Sequence, residues 1–81
     1  MAVAYGADDE EAIGNLIEQL APREFALNKA EHVDVQDTMD GVVETEYDVH
    51  VTFFEPEERR VVRVEILQKD ERWNAENLTQ L

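Results

Sequence analysis

An α+β domain is what the sequence predicts: an N-terminal amphipathic helix packed on one face of a three- to four-stranded antiparallel β-meander. Three observations carry this. Apolar residues recur at helical spacing over residues 8–20. From about residue 31 the period changes to two, as in half-buried strands. At 81 residues, the chain has room for one domain, 1–81, and no more.

The helix comes first. In DDEEAIGNLIEQL, Ala12, Ile13, Leu16, Ile17 and Leu20 share one face. Asp8 is placed to cap the first turn, with Glu11 three residues on, and acids there suit the helix dipole. Pro22 marks the stop. The following REFALNKAE, residues 23–31, reads either as a second short helix or as an extended lead into the sheet.

Alternation then defines three strands and their registers. HVDVQDT and VVETEYDVHVTFF both carry their apolar residues at odd numbers, so odd pairs with odd. A three-residue loop, Met39–Asp40–Gly41 with Gly41 left-handed, satisfies this and sets Val35 opposite Thr45 and Val33 opposite Tyr47. In RRVVRVEILQ the apolar positions are even: Val62, Val64 and Ile66. A four-residue loop, Glu55–Pro56–Glu57–Glu58, with Pro56 at the second position of a type I turn, sets Val51 opposite Val62. DERWNAENLTQL reads as a short helix capped by Asp70 or as a fourth strand, with Trp73 and Leu78 closing the core. MAVAY is a candidate edge strand.

Composition narrows the function. Hydrophobic residues make up 43% of the chain, enough for a core, which argues against wholesale disorder. Without cysteine there are no disulfides and no thiolate chemistry, and without serine the commonest hydroxyl nucleophile is missing. The N-terminus has neither a basic region nor an apolar stretch of secretory type, and no apolar run approaches a membrane span. These features point to a soluble, cytoplasmic protein. Twenty acidic residues against seven basic ones give a formal net charge of −13. Nucleic acid and anionic membranes would repel such a chain, whereas a basic protein surface would attract it.

The sheet face opposite the helix concentrates this charge. The alternation places His32, Asp34, Gln36, Thr38, Glu44, Glu46, Asp48, His50, Thr52, Arg63 and Glu65 there, with Asp34 opposite Glu46 and Asp48 opposite Glu65. Directly opposed like charges destabilise a sheet, so such a surface calls for a functional explanation. Along a strand, Glu44, Glu46 and Asp48 lie roughly 6.7 Å apart, a pitch that lets carboxylates stand in for phosphates before a Lys/Arg groove. Glu55, Glu57 and Glu58 are expected to extend the row at one end. Asp34, Glu44, Glu46, Asp48 and Glu65 are thus the candidate partner-binding residues, the partner being the basic surface of a DNA- or RNA-handling protein.

Other constellations are weaker. His32 and His50, with Asp48 between them, share the ligand types of a divalent-metal site but match no standard ligand spacing, so neither metal nor cofactor is expected. Carboxylate pairs on a flat, wet face lack the concave pocket that catalysis needs, so no enzyme is expected. Val42, Phe54, Val61 and Leu67 interrupt the polar face and would suit an interface centre or a homodimer contact. Few lysines and acids on every element also fit a salt-adapted accessory domain. In size, charge and helix-plus-sheet layout, the chain is similar to the small acidic inhibitors of viruses and mobile elements. The likeness rests on no specific motif, and it implies blockade of a nuclease, a repair enzyme or a CRISPR complex.

Overall fold

Residues 25–31 lengthen the second strand, and the tail and the N-terminal segment each add a strand, which enlarges the sheet to five. The computed structural model describes residues 2–38 and 40–81. The chain runs β1 (Val3–Gly6), α1 (Asp9–Leu20), β2 (Phe25–Asp37), β3 (Val43–Phe53), β4 (Glu58–Lys69) and β5 (Arg72–Gln80). The sheet order is β1-β5-β4-β3-β2, with every neighbouring pair antiparallel. One expectation is corrected here, since the sheet exceeds three or four strands, while the candidate edge strand in MAVAY forms as β1 ahead of the helix.

α1 forms for the reasons its sequence states. The Asp8 carboxylate accepts a 2.8 Å hydrogen bond from the Glu11 amide, and Asp9, Glu10 and Glu11 fill the first turn. Glu11 in turn accepts from the Ala7 amide at 3.2 Å, one residue short of the usual reciprocal cap. Ala12, Ile13, Leu16 and Ile17 are buried, while Leu20 remains half exposed. The helix stops two residues before Pro22, and Ala21 takes an extended φ of −139°. On the sheet, Tyr47, Val49, Val51, Phe53, Val62, Val64 and Ile66 complete the core, with Trp73 and Leu78 packed against it. Beneath the helix, Ala4 and Ala75 are small and fully buried, which lets α1 approach β1 and β5 closely.

Tyr47 links the two layers. Its hydroxyl donates to Asp9 Oδ2 at 2.9 Å, and burial, together with that bond, pushes the phenol well above its ordinary pKa. Tyr47→Phe is expected to cost about 1 kcal/mol, seen as a lower urea midpoint at unchanged slope. A wild-type midpoint would show that the bond contributes nothing.

The first hairpin keeps its expected register near the loop. Val35 faces Thr45 and Asp34 faces Glu46. The Thr38 amide donates to the Val42 carbonyl at 2.9 Å, and Gly41 has φ +70°. Met39, the first residue of the expected loop, lies outside the described residues. Further from the loop the register shifts twice, between His32 and Asp34 and between Leu27 and Lys29. Val33 therefore bulges out and does not face Tyr47; His32 does, with ring centroids 4.6 Å apart. The Thr52 hydroxyl donates to Asn28 Oδ1 at 2.7 Å and ties down the second bulge.

The second hairpin is offset by two residues from expectation. Val49, not Val51, faces Val62, and the loop is 54–57. Apolar alternation fixes which face a residue takes but is blind to a two-residue slip. Arg23 selects the register: its guanidinium donates to the carbonyls of Phe54 (3.2 Å) and Pro56 (2.6 Å) and to Glu58 Oε1 (2.8 Å). Pro56 consequently sits third in the loop, after a cis peptide bond and a left-handed Glu55 at φ 61°, so the expected type I turn is not formed.

Candidate partner-binding face

The registers place the acidic residues of the outer sheet face in a row across strands. Asp34 on β2 faces Glu46 on β3, Glu46 faces Glu65 on β4, and Glu65 faces Glu76 on β5. Neighbouring strands lie about 4.8 Å apart, so four carboxylates span about 14 Å. DNA advances one phosphate per 3.4 Å of axis on each strand, so the linear charge density of the row approaches that of a single nucleic-acid strand. Glu44, two residues from Glu46 on the same face, widens the row into a patch.

None of these five carboxylates makes an ion pair among the described residues. Among the described residues their side-chain partners are amides: Gln36 donates to Asp34 Oδ2 at 3.2 Å, and Asn77 donates to Glu65 Oε2 at 2.8 Å. Such bonds orient a carboxylate without neutralising it. The row therefore keeps its charge, at the cost of like charges directly opposed on adjacent strands.

Asp48 has a different role from the one its position suggested. It faces Arg63 and Glu31, not Glu65, and Arg63 grips it by two bonds of 2.8 and 3.1 Å. The Arg63 hydrogen bond holds the Asp48 carboxyl below the usual carboxylate range. A group so lowered stabilises the fold above its unfolded pKa, and that contribution disappears as pH falls through the folded value. Arg63→Gln is expected to raise the Asp48 titration midpoint measured by carboxyl NMR. An unmoved midpoint would rule out Arg63 as the cause.

Glu55, Glu57 and Glu58 do not extend the row. Glu55 and Glu57 lie in the β3–β4 loop and Glu58 opens β4, about eight residues or 26 Å along β3 from Glu46. Rows containing His50, Val61, Thr52 and Arg59 lie between. Glu58 is held by Arg23 and Arg60, and those bonds lower its carboxyl pKa. At this end, a groove of about 400 Å³ runs beside Asn28, His50, Thr52 and Arg59. Cations lie on both sides of the acidic row along β4 and β5, Arg63 towards this end and Lys69 with Arg72 towards the other.

The bulge at Val33 also separates the two histidines. His32 pairs with Tyr47 and so shares the helix-side face, while His50 stays on the outer face near Glu31, at 3.6 Å. Their expected common face is overturned, and among the described residues no group of three His, Asp or Glu side chains is arranged to hold a metal ion.

Glu76 is the member of the row that sequence reasoning missed. Its tail had no fixed structure in that reading, because left-handed Asn77 (φ 53°) interrupts the alternation between Ala75 and Leu78. Among the described residues, no helix is long and apolar enough to cross a membrane. No protein family, curated protein or solved structure matches this chain.

Proposed function

We propose that this chain is a stoichiometric protein-binding inhibitor whose outer face occupies the nucleic-acid groove of a DNA- or RNA-handling protein. The observation that carries this reading is the row Asp34–Glu46–Glu65–Glu76, four carboxylates on adjacent strands, none of them in an ion pair among the described residues. Each would stand where a phosphate oxygen stands and accept from Lys or Arg, with Glu44 supplementing the row. Binding, with no chemistry on the partner, is the proposed activity. Counter-defence by a virus or mobile element is the setting that suits it.

Salt adaptation alone does not call for acids aligned on four adjacent strands. Affinity capture from lysate at about 0.1 M salt, where the Debye length is about 10 Å, tests the reading. Wild-type bait should retain a nucleic-acid-handling protein that elutes as salt rises. Bait carrying Glu46→Gln, Glu65→Gln and Glu76→Gln should not. Equal retention by both baits would exclude the acidic row as the binding site.

A further inference from the structure

Beside the β3–β4 loop the outer face of the sheet is concave. Thr52 is only 8% exposed there, although α1 packs on the opposite face. It lies between Ala26 and Arg59, and the bulge at Asn28 brings that side chain within hydrogen-bond reach of its hydroxyl. The groove of about 400 Å³ that results takes its lining from Asn28 on β2, residues 50–52 on β3 and residues 59–61 on β4. None of these is acidic, in a chain where 20 of 81 residues are. Four other surface clefts each include at least one carboxylate.

The groove holds donors that the fold leaves unused. Arg59 enters no ion pair among the described residues, whereas Arg60 is committed to Glu58 at 2.6 Å. With Asn28 Oδ1 taken by Thr52, its Nδ2 keeps two donors. His50 Nε2 stands 3.6 Å from Glu31 Oε1, which Lys29 already holds at 2.8 Å. The flanking carboxylates Glu31, Asp48 and Glu58 each sit in an ion pair. Glu55 and Glu57 in the adjoining loop do not, but neither lines the groove. Glu46 of the acidic row is four residues, about 13 Å, along β3 from His50, beyond the Debye length of about 10 Å at 0.1 M salt. A guanidinium fork, an amide and an imidazole around one concavity match a tetrahedral oxyanion. The volume exceeds what a bare phosphate fills, and Val51 and Val61 offer apolar contact to an organic group. We propose that this groove binds a phosphomonoester, with Arg59 gripping the phosphoryl oxygens and Asn28 and His50 completing their shell. The site goes beyond the acidic-row reading and does not depend on it.

Inorganic phosphate and phenyl phosphate are the probes, with sodium chloride and benzoate as controls at equal ionic strength and about pH 7, where a phosphomonoester is largely dianionic. Both phosphates should shift the amide signals of Asn28, His50, Thr52 and Arg59 saturably at one to one, phenyl phosphate at the lower concentration. Arg59→Gln, at an exposed site, should weaken both at least tenfold. Arg72→Gln removes the same charge at the far end of the sheet and should leave binding within about twofold. Equal shifts with chloride or benzoate, shifts that do not saturate, or equal losses in the two arginine variants would each overturn the proposal. Binding of inorganic phosphate with phenyl phosphate excluded would overturn the assignment to an ester. These probes need no protein partner, so a failed capture through the acidic row leaves the site standing, and its own failure leaves that row untouched.

Discussion

Converting Asp34, Glu46, Glu65 and Glu76 to their amides should stabilise the free chain by about 1–2 kcal/mol and weaken partner binding at least a hundredfold. The two effects have one cause. Three directly opposed like-charge pairs, 34/46, 46/65 and 65/76, each cost a few tenths to about 1 kcal/mol in the free sheet. The same four charges are the acceptors offered to a basic groove, where losing even one good charge-assisted bond costs about 1.5–3 kcal/mol. Opposite signs in stability and affinity are the mark of a surface kept for function at the expense of the fold. Urea unfolding and titration against the captured partner would measure both. A variant of lower stability, or one that binds as the wild type does, would break the argument.

Gly6→Ala should destabilise the domain by about 3 kcal/mol, a large part of what so small a chain can hold. Gly6 ends β1 where it meets the first turn of α1. A Cβ there would lie 2.4 Å from the Ala12 nitrogen and 2.9 Å from the Glu11 carbonyl carbon, both backbone atoms that cannot swing aside. Relief requires β1 and α1 to part, which opens the close packing of Ala4, Ala12 and Ala75. The urea midpoint should fall sharply, and an unchanged midpoint would show that β1 is not held against the helix as described.

Much of this architecture could be read from local pattern. The α1 cap and core face follow from Asp8, Glu11 and the spacing of Ala12, Ile13, Leu16 and Ile17. The loop-proximal register of the first hairpin follows from Gly41 and the odd-numbered valines. What escaped were features with no local signature. The β3–β4 register depends on Arg23, more than thirty residues away in sequence. The bulge at Val33 reverses the faces of residues 29–32 until the bulge at Asn28 restores them, which moved His32 to the helix side. The candidate site was legible to the extent that those registers were: Asp34, Glu44, Glu46 and Glu65 fall together, whereas Asp48 is neutralised by Arg63 and Glu76 was hidden by the break at Asn77.

Phosphate mimicry makes a demand that simple acidity does not: the chain and nucleic acid must exclude one another. The most direct measurement is competition for the captured partner between this chain and a duplex DNA or RNA oligonucleotide, at about 0.1 M salt and again at higher salt. The account predicts mutual displacement at one to one stoichiometry, with the affinity of the chain falling as salt rises. A ternary complex of partner, oligonucleotide and chain, or binding indifferent to salt, would contradict it.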